Sequence, residues 1–118
     1  MRAIRSISSV LFVFAVTLGA SSCGKTSAFC RLRQQEARAD LNALHEEQNK
    51  FRQAHGRFAR SMDELNFTAP DPNFYDVSIV SASNDTYSAK ALGKRSVQGD
   101  EWTIDQLGNP VVRTNVCQ

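Results

Sequence analysis

The chain has 118 residues and a formal charge of +2, with 14 Lys and Arg against 12 Asp and Glu. That length supports one domain and not two. Both excess cations, Arg2 and Arg5, fall within the first 22 residues, so the remainder is neutral. A neutral domain lacks the cation surplus that bulk binding to nucleic acid requires. Residues 1–9 carry those two arginines and no acid. Val10 to Leu18 then form an apolar run broken only by Thr17, and Gly19-Ala20-Ser21-Ser22 are small. Charged, apolar and small segments in that order read as a secretory signal peptide over residues 1–22. The apolar run is shorter than the ~20 residues a membrane span requires.

Ala20-Ser21-Ser22-Cys23 resembles the lipobox of bacterial lipoproteins, with Ala20 where that family favours Leu. The resemblance implies that Cys23 receives a diacylglyceryl group and becomes the new N-terminus, with residues 23–28 as lipidated cysteine and tether. It also implies the outer membrane as destination, because Gly24 stands where an aspartate marks retention at the inner membrane. Ordinary signal-peptidase cleavage after Ala20 or Ser22 is the alternative, and it leaves Cys23 as a thiol.

Three cysteines in an oxidising compartment leave one over. If Cys23 carries lipid, Cys30 and Cys117 remain to pair and tie the start of the mature domain to its end. Cys23–Cys30 and Cys23–Cys117 are the other pairings. A domain over residues 29–118 has a thin core, so a covalent staple suits it.

From Ala28 to His55 there is no Pro or Gly and many good helix formers, which predicts one long helix. Ala37, Leu41, Leu44, Gln48 and Phe51 recur at a 4-3-4-3 spacing, marking one stripe for burial. Charged Glu36, Asp40 and Glu46→Lys50 fall elsewhere. Gly56 stops the helix, and Phe58 points inward from an extended link. Ser61-Met62-Asp63-Glu64 has the spacing of a capping box, predicting a single turn that ends near Leu65.

Pro70 and Pro72 mark a loop. Tyr75, Val77 and Ile79 alternate with polar residues, predicting a strand that turns at Asn84-Asp85 and returns over residues 86–92. Gly93 to Asp100 reads as polar and flexible. Strands at 101–105 and 111–113 complete an antiparallel meander. The expectation is an α+β domain: a long N-terminal amphipathic helix packed on three or four antiparallel strands. Its expected core includes Phe29, Leu32, Leu92, Val111 and Val112 beside the stripe, Tyr75, Tyr87, Trp102 and Ile104.

Glu36-Ala37-Arg38-Ala39-Asp40-Leu41, then His55-Gly56-Arg57-Phe58-Ala59, then Ser61-Met62-Asp63-Glu64-Leu65-Asn66-Phe67 resemble the globular half of type IV pilins and pseudopilins. Trp102 to Asn109 and the late Cys117 fit the same pattern. The resemblance spans about residues 29–117. It implies a structural or interaction role in the cell envelope, with partners in type IV pilus or type II secretion assembly. The apolar assembly helix of pilins is missing, and a lipoprotein-type leader stands in its place.

No cofactor motif, phosphate loop, serine elbow or zinc spacing is present, so an enzyme is not expected and no small-molecule substrate is identified. His45 and His55 are ten residues apart, which turns them about 80° from each other on a helix. Asp71, Asn73, Asp76 and Asn84-Asp85 lack the register of a calcium loop. Phe74 breaks the strand alternation and is the candidate exposed aromatic for an interaction surface. A soluble periplasmic or secreted binding module without lipid is the alternative reading.

Overall fold

The computed structural model describes residues 28–70 and 72–117. The leader, Cys23 and the tether as far as Ser27 lie outside the described residues. The described chain is α+β: helix α1 Ala28–His55, helix α2 Met62–Leu65, strands β1 Tyr75–Ala82 and β2 Tyr87–Gly93, a 3-10 turn Arg95–Val97, then strands β3 Glu101–Asp105 and β4 Val111–Thr114. The strands form one antiparallel sheet in the order β1-β2-β3-β4, a simple meander.

Helix α1 packs on that sheet through Cys30, Ala37, Leu41, Leu44 and Gln48. These residues share one face because steps of three, four and seven return to the same side of a 3.6-residue turn. Asp40, expected on the solvent side, is buried at the edge of this face. Gln48 occupies a place in the apolar stripe without cost to it. Its amide nitrogen donates to the Ala59 carbonyl at 2.9 Å and its amide oxygen accepts the Ala59 N–H at 2.8 Å. Both backbone groups of the buried link after the helix are thereby satisfied.

Under the helix lie two fully buried alanines of the second strand, Ala89 and Ala91. Ile79 and Val77 pair with them from β1, and Ile104 and Trp102 from β3. Small residues on the central strand with large ones on either side form a trough for a helix. The Ile79–Ser81 irregularity in β1 is a bulge that leaves Val80 exposed and returns Ala82 to the inner face opposite Tyr87. Phe58 is buried against the Tyr87 ring, 4.9 Å between centroids, and its N–H donates to Ser83 at 3.1 Å. The link after α1 is thus clamped to the β1–β2 turn.

Five residues expected in the core are exposed: Phe29, Leu32, Leu92, Val111 and Val112. Leu92 alternates with buried Ala91 and so faces the other side of the sheet. Val111 and Val112 belong to the edge strand β4, none of whose residues is buried. Phe29 and Leu32 sit one and two residues from Cys30, roughly 100° and 200° around the helix from the buried face.

The stretch from Gly93 to Asp100 also departs from its expected flexibility. It is a tight turn in which Val97 and Asp100 are fully buried. Gly93 N–H donates to the Asp100 carbonyl at 2.8 Å and Lys94 N–H to the Phe74 carbonyl at 2.9 Å. A Cβ on Gly93 would collide with the Val97 carbonyl oxygen, so the turn requires glycine there.

The capping box forms in altered shape. Ser61 Oγ accepts the Glu64 N–H at 3.1 Å, but the Glu64 carboxylate reaches back to the Arg60 N–H at 2.9 Å rather than to Ser61. Arg57 also grips both carboxylate oxygens, at 2.6 and 3.0 Å. The Arg57 guanidinium first, and the Arg60 N–H second, lower the Glu64 carboxyl from 4.5 to about 2. A carboxyl lowered on folding adds stability above its unfolded value and loses it as pH falls through the folded one. Melting temperature measured from pH 5 to pH 2 should therefore fall less steeply in Glu64→Gln than in the native chain. Parallel curves would remove Glu64 from the acid response. Lys50, expected to pair with Glu46, instead pairs with Glu47 at 3.0 Å.

Candidate functional site

Of the residues singled out in the sequence, Cys23 lies outside the described residues, and the structure brings Cys30 and Cys117 together. At one end of the domain the start of α1 meets the C-terminal segment. Cys30 and Cys117 form a disulfide there, with Cα atoms 5.7 Å apart, inside the range such bridges need. Both cysteines are buried.

Beside the bridge, Asp100 gathers four donors from four parts of the chain. Its Oδ2 accepts the Tyr75 hydroxyl at 2.6 Å and the Trp102 indole N–H at 2.9 Å. Its Oδ1 accepts the Gln34 amide and the Val116 N–H, each at 3.1 Å. Gln34 also donates to Asn115 Oδ1 at 2.8 Å, which accepts the Cys117 N–H at 2.9 Å. Helix, first strand, third strand and C-terminus thus meet on one buried carboxylate. Burial, and then the Asp100 carboxylate, push the Tyr75 phenol well above its ordinary value, so it remains a donor.

Sequence reading missed Asp100, which lay in a segment read as a polar loop. A usable signal existed. Trp102 in a strand needs an acceptor for its N–H once buried, and the residue two earlier shares its face.

A polar recess of about 440 Å³ opens next to this cluster, lined by Arg31, Gln34, Gln35, Arg38, Asn115 and Cys117. These lining residues include two arginines and no carboxylate. Neither arginine takes part in the ion pairs of the described residues, which use Arg33, Lys50, Arg52, Arg57 and Lys94. Arg38 lies over the Trp102 ring at 5.5 Å.

Phe74 is half-buried rather than freely exposed. The Arg33 guanidinium covers its ring at 3.8 Å, and Arg33 pairs with Glu36 at 2.6 Å. The sequence-level candidate for an interaction aromatic is therefore one side of a local stack.

The two histidines are apart and separately engaged. His45 Nδ1 lies 2.6 Å from the Tyr87 hydroxyl and its Nε2 lies 3.1 Å from the Asn49 amide. His55 packs on Phe51, with centroids 4.1 Å apart. Of the acids weighed as calcium ligands, Asp71 lies outside the described residues, and the other two are paired with cations, Asp76 with Lys94 at 2.8 Å and Asp85 with Arg52 at 3.1 Å. Among the described residues no group of three or more His, Cys, Asp or Glu is placed to hold a metal ion. Among the same residues no helix is long and apolar enough to cross a membrane.

No known protein-family model matches this chain, and no curated protein does.

Proposed function

We propose that this chain is a non-enzymatic, lipid-anchored protein of the cell envelope. Its pilin-like head serves a structural or interaction role beside a type IV pilus or type II secretion assembly. The observation that carries the reading is the order of parts: a leader ending at Cys23, a long helix, a four-stranded meander, and a last cysteine returned to the helix start. Rigid closure of the C-terminus onto the helix suits a head that presents a fixed surface. Glu64, Asp76 and Asp85 are held in ion pairs with Arg57, Lys94 and Arg52.

A leader of this kind replaces the apolar assembly helix of pilins, so the head is held at the membrane surface rather than built into a filament core. Gly24, where the lipoprotein pattern has an aspartate for inner-membrane retention, supports outer-membrane attachment in this reading. Crosslinking in the intact envelope, followed by capture of the full chain, tests the partner class. Recovery of pilus or secretion components is the expected result, and their absence from a capture that retains the chain itself would contradict it.

One observation favours a second reading, a soluble binding module. The recess bearing Arg31 and Arg38 has the chemistry to receive an anionic group. Release of the processed chain in soluble form, without lipid, would select that reading.

A further inference from the structure

We infer that the start of helix α1 is a membrane-contacting surface, seated on anionic phospholipid through Phe29, Leu32 and Arg31. The inference deepens the lipid-anchor reading and rests on it for the position of the domain.

Two large apolar side chains stand in solvent within one turn of the helix start. Phe29 is 72% exposed and Leu32 is 51% exposed. Neither belongs to the face that packs on the sheet. Arg31, at the rim of the recess, projects about 100° from Leu32 and about 160° from Phe29, so the three ring the helix start, and it is exposed and without an ion pair among the described residues. Residues 24–35 hold Lys25, Arg31 and Arg33 and no Asp or Glu, although the domain as a whole is neutral. The first acid after Cys23 is Glu36, which Arg33 already neutralises. Apolar and cationic groups, with acids excluded, are what the headgroup layer of an anionic bilayer accepts.

The covalent chain sets the distance. Five residue steps separate Cys23 from Ala28, and an extended chain covers at most about 18 Å over that length. A lipid on Cys23 therefore holds the helix start within reach of the bilayer surface. The exposed Leu107, in the turn between β3 and β4, is far from it. Gly108 beside it lies against His45, sixteen residues along α1 from Phe29 and so about 24 Å along the axis.

A second copy of the chain is a poorer occupant. Two side chains fall well short of the ~1,000 Å² that a specific interface needs. A two-fold contact here would also bring the unpaired Arg31 of each copy together. The consequence of membrane seating is orientation: the helix start faces lipid while the β3–β4 turn points away.

The test uses the full chain, processed and purified from membranes. It is reconstituted in phosphatidylcholine–phosphatidylglycerol vesicles carrying a phosphatidylglycerol with a photoreactive headgroup. Crosslinked positions are mapped by mass spectrometry, and the mass of the N-terminal peptide is read from the same sample. Crosslinks should concentrate in residues 28–35 and spare residues 106–109. They should fall about fivefold in Arg31→Glu and about tenfold or more in Phe29→Ser/Leu32→Ser. Leu107→Ser should leave them unchanged. All four positions are exposed, so unchanged far-ultraviolet circular dichroism is the fold control.

A lipidated N-terminus with crosslinks spread evenly over the surface, unaffected by these substitutions, would overturn the inference and leave the anchor standing. Crosslinks between two copies at residues 29 and 32 would also overturn it. If the N-terminal peptide carries no lipid, the anchor reading fails separately. Co-sedimentation with the same vesicles then decides: binding lost in Phe29→Ser/Leu32→Ser supports the surface, and no binding overturns it. Equal retention on vesicles of phosphatidylcholine alone would remove anionic lipid as the occupant.

Discussion

Opening the Cys30–Cys117 bridge is expected to cost about 2–5 kcal/mol of stability. For a domain of this size that lowers the melting temperature by roughly 10–30 °C. The bridge joins residues 87 apart in sequence, so it closes almost the whole described domain into one loop. In the chain-entropy account, restriction of the unfolded chain grows with the logarithm of loop length, and this loop is near the top of the range. The folded side adds to the effect. β4 is an edge strand with every residue exposed, and it has little buried surface of its own to hold it. Without the bridge, the C-terminal segment depends on the β3–β4 ladder and on hydrogen bonds to Asp100 and Asn115. Cys30→Ser/Cys117→Ser, unfolded in urea beside the oxidised chain, gives the number. Amide exchange should show residues 111–117 opening first. A difference below about 1 kcal/mol would mean that packing alone fixes the C-terminus.

Replacing Asp100 is expected to cost at least as much, about 3–5 kcal/mol for Asp100→Ala. The carboxylate accepts from Tyr75, Trp102, Gln34 and Val116 within a fully buried site. Its removal leaves the phenol and the indole N–H buried with no acceptor, which is costlier than the loss of the bonds themselves. Tyr75→Phe, which deletes one donor and leaves the acceptor satisfied by three others, should cost about 1 kcal/mol. Asp100→Ala and the cysteine double replacement both loosen the C-terminal segment. Their effects should therefore be less than additive. Equilibrium unfolding of the three variants and their combination checks both statements. Equal losses in Tyr75→Phe and Asp100→Ala would show that the other three contacts contribute nothing.

Local physics made much of this fold readable. Helix α1 ends at His55, where Gly56 placed its stop, and β3 matches its expected bounds. The Cys30–Cys117 bridge is one of the three pairings that the cysteine count left open, and the one expected if Cys23 carries lipid. The errors arise where tertiary contacts overrule a local pattern. Asp100 and Val97 looked like parts of a polar loop because their partners, Tyr75 and the helix, are distant in sequence. Phe29 and Leu32 looked like core because they are apolar, but one helix cannot turn three faces to one sheet. Val111 and Val112 alternate with nothing that covers them. The Glu64 carboxylate, expected to close a capping box on Ser61, found Arg57 and the Arg60 N–H instead.

The candidate site was less legible than the fold. The recess between Arg31, Arg38 and Asn115 forms where the C-terminal segment, held by the bridge and by hydrogen bonds to Gln34 and Asp100, meets the helix start. No sequence spacing encodes it. Phe74 was visible as an aromatic out of phase with its strand, but its cover by Arg33 depends on a helix more than forty residues earlier.

The central claim is that the mature protein begins at a lipid-bearing Cys23. Radiolabelled palmitate fed to cells that make the native chain or Cys23→Ser measures this directly. The account predicts label that travels with the native chain in the membrane fraction and disappears in Cys23→Ser. A native chain that is processed, unlabelled and released in soluble form would contradict it.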